Sequence, residues 1–137
     1  MTVLFPFAPP PALDRAALAR IRRTVVAVPA FDHAFRRTEW FGDDVLWLAP
    51  EDPRRFRELT GRLSSAFPEY PPFEGAFADL VPHLTVGHHH PRTLLAAAER
   101  EVLTDLPVVG RATEVVLLAR DVPGAPWATR AAFPLGS

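Results

Sequence analysis

Four of the five histidines in this chain fall between His83 and His90, in the stretch VPHLTVGHHHP that covers residues 81–91. An imidazole exchanges a proton near neutral pH. A threonine hydroxyl hydrogen-bonds a phosphoryl or carbonyl oxygen. On an extended strand, residues two apart project from one face. His83 and Thr85 therefore point the same way, about 7 Å apart along the chain. Leu84 and Val86 then turn to the core, and Gly87 permits a close backbone approach after the strand. That pairing suits proton transfer beside an anionic oxygen. Taken alone, a His-x-Thr tripeptide is as readily a strand-edge histidine beside a half-buried threonine.

The triple histidine raises a metal reading. Consecutive strand residues diverge, so His88 with His90, or His83 with His89, are the pairs able to converge, and no Asp or Glu sits within the run to complete a site. The expectation is that neither a metal nor a cofactor is held. His33 lies among alternating apolar residues and reads as a packed or edge histidine. Arg36, Arg37, Arg120 and Arg130 are candidate phosphate holders, the last two on the final hairpin. Trp40, Trp47, Phe5 and Phe7 have the surface to stack a nucleobase, but their spacing of two along strands reads as core. The run PRRFRELTGR, residues 53–62, is a basic helix face of the kind that normally meets solvent.

Composition narrows the chemistry. The chain has 137 residues, no cysteine and a formal charge of −1. The length suits one domain with a real core. Absent cysteine removes disulfides, thiolate nucleophiles and sulfur-ligated zinc. All 15 basic residues are arginine, so there is no lysine nucleophile or Schiff base. A near-neutral net charge provides no global field for nucleic acid, and an anionic ligand needs a local site. The arginine, alanine and proline bias suggests a GC-rich bacterial genome. No apolar run approaches the ~20 residues of a membrane span, and MTVLFPF lacks a signal pattern. A cytoplasmic protein is expected.

The elements that must position these residues follow from periodicity. TVLFPF (2–7) is β-rich and runs into APPPA, which no helix or central strand tolerates. Asp14 reads as the N-cap of a helix with Leu18, Ile21, Val25 and Val28 at helical spacing. FDHAFRRTEWF and VLWLAP flank Gly42-Asp43-Asp44 as a β-hairpin. Asp52-Pro53 reads as N-cap and first residue of a helix burying Phe56, Leu59, Leu63 and Phe67. PEYPPFEG (68–75) is a proline-rich loop. A strand HLTVGH, a helix over 92–105 burying Leu95, Ala98 and Val102, and a second hairpin, RATEVVLLAR with WATRAAF around Pro123-Gly124, complete the chain. The order strand, helix, hairpin thus occurs twice. It predicts an α+β fold: one domain over 1–137, two pseudo-symmetric lobes of antiparallel sheet (about 1–50 and 83–137) with flanking helices, a linking helix and loop (51–82), and a central cleft.

The segments PHLTVGH (82–88), PPFEGAFADLV (71–81), TVLFPF, VLWLAP and FPLG (133–136) resemble the 2H phosphoesterase superfamily, the 2′-5′ RNA ligase-like proteins, over nearly the whole chain. The resemblance implies two lobes, each giving one His-x-Thr/Ser strand to the cleft. It implies metal-independent chemistry on 2′,3′-cyclic phosphates or RNA ends, with one histidine as general base, the other as general acid, and hydroxyls gripping phosphoryl oxygens. Carried over by position, His83 is a proton carrier, and Thr85 and Thr2 hold the phosphoryl group. The family's first motif reads His-x-Thr-Val-Leu-Phe-Pro-Phe. Here Met1 stands at x and Thr2 at the threonine, and the histidine would precede Met1. The expectation is therefore a chain cut through its first motif, with activity impaired, or a non-catalytic protein that binds nucleotides or RNA ends. His89 joins the face of His83 only if the strand runs straight past Gly87. Even then it is a poor substitute, because in-line displacement places proton donor and acceptor on opposite sides of phosphorus. The partners implied are a phosphorylated nucleotide or RNA terminus, no membrane, and a second copy paired through an unpaired sheet edge.

Overall fold

The computed structural model describes residues 1–72 and 80–137. Among them are three α-helices, α1 (Arg15–Val26), α2 (Arg54–Ala66) and α3 (Arg92–Asp105). Six strands accompany them: β1 (Phe31–Phe41), β2 (Val45–Pro50), β3 (Leu84–His88), β4 (Val108–Ala112), β5 (Glu114–Ala119) and β6 (Ala128–Pro134). The fold is α+β with antiparallel sheets. One sheet runs β3-β2-β1-β4, and a smaller one pairs β5 with β6.

The helices start and pack as their patterns require. Asp14 caps α1, its Oδ1 accepting from Ala17 N at 2.8 Å. The start of α2 is one residue later than the sequence suggests. Pro53 occupies the N-cap position, and Asp52 reaches past it to accept from Arg54 N at 3.0 Å. Ile21, Val25 and Val28 from α1 and its C-terminal flank meet Phe56, Leu59, Leu63 and Phe67 from α2 and its C-cap in one buried cluster with Phe31, Phe35, Leu48 and Phe133. Residues buried to this degree each contribute about 1.5–3 kcal/mol of transfer free energy. α3 lies across β1, β2 and β3, with Leu95 buried beneath Gly87. A Cβ at Gly87 would stand 2.9 Å from Leu95 Cδ2, so the helix approaches the strand closely there.

Strand register decides which face each residue occupies. A bulge between Phe35 and Arg37 shifts the parity of β1. Phe31, His33 and Phe35 before it, and Thr38 and Trp40 after it, thus all face the core. The pairs Leu48↔Leu84 and Leu46↔Gly87 share that inner side. Trp47↔Thr85, and Phe41 diagonal to Trp47, lie on the other.

Two readings of the sequence change. Residues 2–7 form no strand. A strand needs a ladder partner, and this segment is instead tied by side chains. Thr60 Oγ1 donates to the Val3 carbonyl at 2.7 Å, and Phe7 meets Phe67 and Tyr70 edge-on. RATEVVLLAR is not one strand. The chain changes sheets at Thr113, with β4 pairing to β1 before it and β5 to β6 after it. No Gly or Pro marks that switch. The loop read at 68–75 extends past the described residues, as does PPFEGAFADLV.

Candidate functional site

His83 stands immediately ahead of β3, outside the ladder, and Thr85 lies within it opposite Trp47. Cross-strand partners project from the same face, so the threonine and the indole share the outer side of the sheet. Alternation puts His83 there too. Its ring meets Phe41 edge-on, centroids 5.1 Å apart at 87°, and Trp47 at 5.9 Å and 71°. Phe41 is itself stacked on Trp47 at 4.6 Å and 23°. Thr85 is exposed and His83 half-buried.

The protonation of the ring follows from one contact. His83 Nδ1 lies 2.7 Å from the Val81 carbonyl oxygen. A carbonyl only accepts, so Nδ1 carries the proton and donates it. In the neutral ring Nε2 then holds the free lone pair. This is an imidazole able to take a proton at Nε2 and return it.

The other histidines are elsewhere. β3 ends at His88, and His89 has φ +58°, a left-handed conformation that turns the chain out of the strand. The straight continuation that would align His89 with His83 does not occur. The His88 and His89 rings meet at 4.4 Å. Among the described residues no group of three or more His, Asp or Glu side chains converges as metal ligands would. His33 is packed between Phe35 and Phe56, at 5.4 and 5.9 Å, on the inner face.

Thr2 is exposed, and no hydrogen bond joins it to His83 or Thr85 among the described residues. The arginines divide. Arg36 pairs with Glu51, Arg37 with Glu39 and Arg130 with Asp121. Arg120 forms no ion pair among the described residues, and its guanidinium lies 4.6 Å over Trp127, whose ring also meets Phe5 at 6.3 Å. Of the aromatic candidates, Trp47 is only 7% exposed, whereas Phe5 is 48% exposed.

Phe41 escaped the sequence reading. Nothing marks it among ten phenylalanines, and only the register of β1 on β2 brings it beside a histidine from a distant segment. The Val81 carbonyl is likewise invisible to pattern, because a backbone atom carries no residue signature.

No helix among the described residues is long and apolar enough to cross a membrane. No curated protein matches the chain significantly. A family comparison does match, over residues 1–124, and its family is the 2′-5′ RNA ligase superfamily. The match covers both hairpins' first strands, all three helices and the strand that follows His83. On that coverage, the chain belongs to the 2′-5′ RNA ligase superfamily.

Proposed function

We propose that the protein is a metal-independent phosphodiesterase acting on 2′,3′-cyclic phosphates or RNA ends, with His83 as proton carrier and Thr85 and Thr2 as phosphoryl-oxygen donors. The observation that carries this reading is the His83 tautomer: Nδ1–H given to Val81 O, which leaves Nε2 as the ring's proton acceptor two residues before Thr85. Family membership supports it.

In the reaction a water oxygen bonds to phosphorus as one ribose oxygen departs. One carrier takes the proton of the attacking water, and the other supplies a proton to the leaving oxygen. Neutral His83 suits the first role, and His83 protonated at Nε2 suits the second. Each acid–base group contributes on the order of 10²–10⁴-fold. Hydroxyl donors aimed at the non-bridging oxygens stabilise the charge that develops there.

The lobes expected at about 1–50 and 83–137 exchange strands in the fold, since β3 and β4 join β1 and β2 in one sheet while β5 and β6 form the other; this reading puts the reaction in a cleft between the two sheets. By resemblance to the family's first His-x-Thr motif, the second carrier would stand two positions from Thr2, which a histidine placed ahead of Met1 tests. A non-catalytic protein that binds nucleotides or RNA ends is the second reading. It needs only the face of β3 that carries Thr85 opposite Trp47, and no second proton carrier.

The test is hydrolysis of a 2′,3′-cyclic nucleotide in excess chelator, followed by ³¹P NMR. It compares the chain from Met1, the same with a histidine placed before Met1, and that version carrying His83→Ala. Turnover rising with the added histidine and falling with His83→Ala is expected. Ligand binding without turnover in any of them overturns the enzymatic reading and leaves the binding one.

A further inference from the structure

His83 lies ahead of the β3 ladder, so backbone pairing does not fix its ring. The Val81 hydrogen bond sets the tautomer only while the ring stays against that carbonyl, and one contact leaves the ring free to pivot away from it. What limits the pivot is aromatic. Phe41 and Trp47 form a stacked pair whose two rings both take the imidazole edge-on, at 87° and 71°. Ring pairs at such separations and angles are favourable by quadrupole as well as by contact. Trp47 is nearly buried, at 7% exposure, and Phe41 is 38% exposed. Trp47 is thus the fixed wall and Phe41 the outer jaw.

The jaw sits at the end of β1, where a strand normally frays into its turn. Here the hairpin tip is braced from the opposite face. Arg92, the first residue of α3, donates from Nη1 to Asp43 Oδ1 at 2.6 Å, and its guanidinium lies 3.7 Å over the Trp40 ring. Trp40 Nε1 in turn donates to Glu99 Oε2 at 2.7 Å. One residue on each side of Phe41 is therefore tied to α3 or approaches it, since Trp40 precedes it and Asp43 follows Gly42.

We propose that Phe41 is a positioning residue for His83, acting as an aromatic jaw that holds the imidazole with Nδ1 on the Val81 carbonyl and Nε2 toward the reacting phosphate, and that Arg92 holds the jaw in place through the hairpin tip. The role given to Nε2 rests on the function proposed above, whereas the effect on the ring does not. Misplacing a reacting group by about 1 Å costs up to 10²-fold in rate, so a loosened ring shows in kcat. Substrate affinity, set by the phosphoryl donors, stays where it was.

The experiment reads the ring and the reaction separately, in the version bearing a histidine before Met1. Long-range ¹H–¹⁵N NMR reports the His83 tautomer, and thermal melting reports the fold. The variants are Phe41→Leu, Phe41→Tyr and Arg92→Ala. In Phe41→Leu the His83 nitrogens are expected to average toward a mixed tautomer, with kcat down about 10-fold or more and KM steady. Phe41→Tyr keeps the ring and restores both readings. Arg92→Ala, which touches neither His83 nor Phe41, moves both readings in the direction of Phe41→Leu. A His83 spectrum unchanged in a folded Phe41→Leu overturns the proposal, as does a rise in KM at constant kcat, which makes Phe41 a substrate-contacting surface instead. If the tautomer shifts but no variant turns over substrate, the jaw stands and the phosphodiesterase reading falls.

Discussion

The indole nitrogen of Trp40 donates to Glu99 at 2.7 Å, joining β1 to α3 across 59 residues of sequence. Trp40 sits on the inner face of the sheet and Phe41 on the outer, so neighbouring side chains brace the helix and face the histidine. Removing the acceptor leaves a half-buried indole N–H unpaired. Glu99→Ala is expected to lower stability by about 1–2 kcal/mol, measured by urea unfolding. Glu99→Gln, which keeps an acceptor oxygen, should recover most of it. Equal losses in both variants would mean that the carboxylate charge, rather than the hydrogen bond, matters there.

His89 is the one non-glycine residue with positive φ among the described residues, at +58°. A β-carbon in that region costs roughly 1–2 kcal/mol, which glycine avoids. His89→Gly should therefore leave stability unchanged or raise it, and leave turnover of a 2′,3′-cyclic nucleotide unaltered. A large loss of turnover in that variant would show His89 taking part in proton transfer.

Gly136 shows a different glycine requirement, one of space. A Cβ there would lie 2.5 Å from the Val26 carbonyl oxygen, a backbone atom that cannot rotate away. The same residue accepts from Ala30 N at 2.9 Å and donates to Val28 O at 2.8 Å, tying the C-terminal end to the link between α1 and β1. Gly136→Ala should cost about 1–3 kcal/mol and lower the melting temperature, while the far-UV circular dichroism of the folded state stays the same.

Acid sensitivity has a local source at the start of α2. The side chain and backbone N–H of Arg54 hold the Asp52 carboxyl down to about 2, from an ordinary 3.8. A depressed carboxylate contributes stability that is complete above its unfolded value. That contribution drains away as pH falls from 3.8 toward 2. Because both side chains are surface groups, salt should weaken the effect. Melting curves of Asp52→Asn and the parent are expected to differ most above pH 4 and to converge below about pH 2. A gap that persists at the acid end would place the effect in packing instead.

Much of this molecule follows from its letters alone. The periodicity of Ile21 and Val25, and of Phe56, Leu59 and Leu63, marks helix faces that are buried in the fold, with Val28 and Phe67 continuing each stripe just past the helix end, because a 3.6-residue repeat has one way to hide its apolar side. The β1–β2 hairpin around Gly42 and the strand after His83 are local in the same sense: alternation and a turn suffice. The side-by-side direction of His83 and Thr85 needs only the period of two.

Tertiary structure decided what depends on partners. TVLFPF has the residues of a strand but is not one, since strand formation is a property of a ladder rather than of a segment. The switch at Thr113 goes unmarked because each half simply pairs with a different neighbour. The bulge at Arg36 reverses the parity of β1, putting Trp40 inside and Phe41 outside. No pattern in FDHAFRRTEWF announces that reversal. The aromatic setting of His83 arises there, from residues separated by some forty positions in the chain and brought to 5.1 Å by register alone. A histidine and a threonine two apart are legible in sequence; the ring's surroundings are long-range contacts, and those exist only once the sheet has closed.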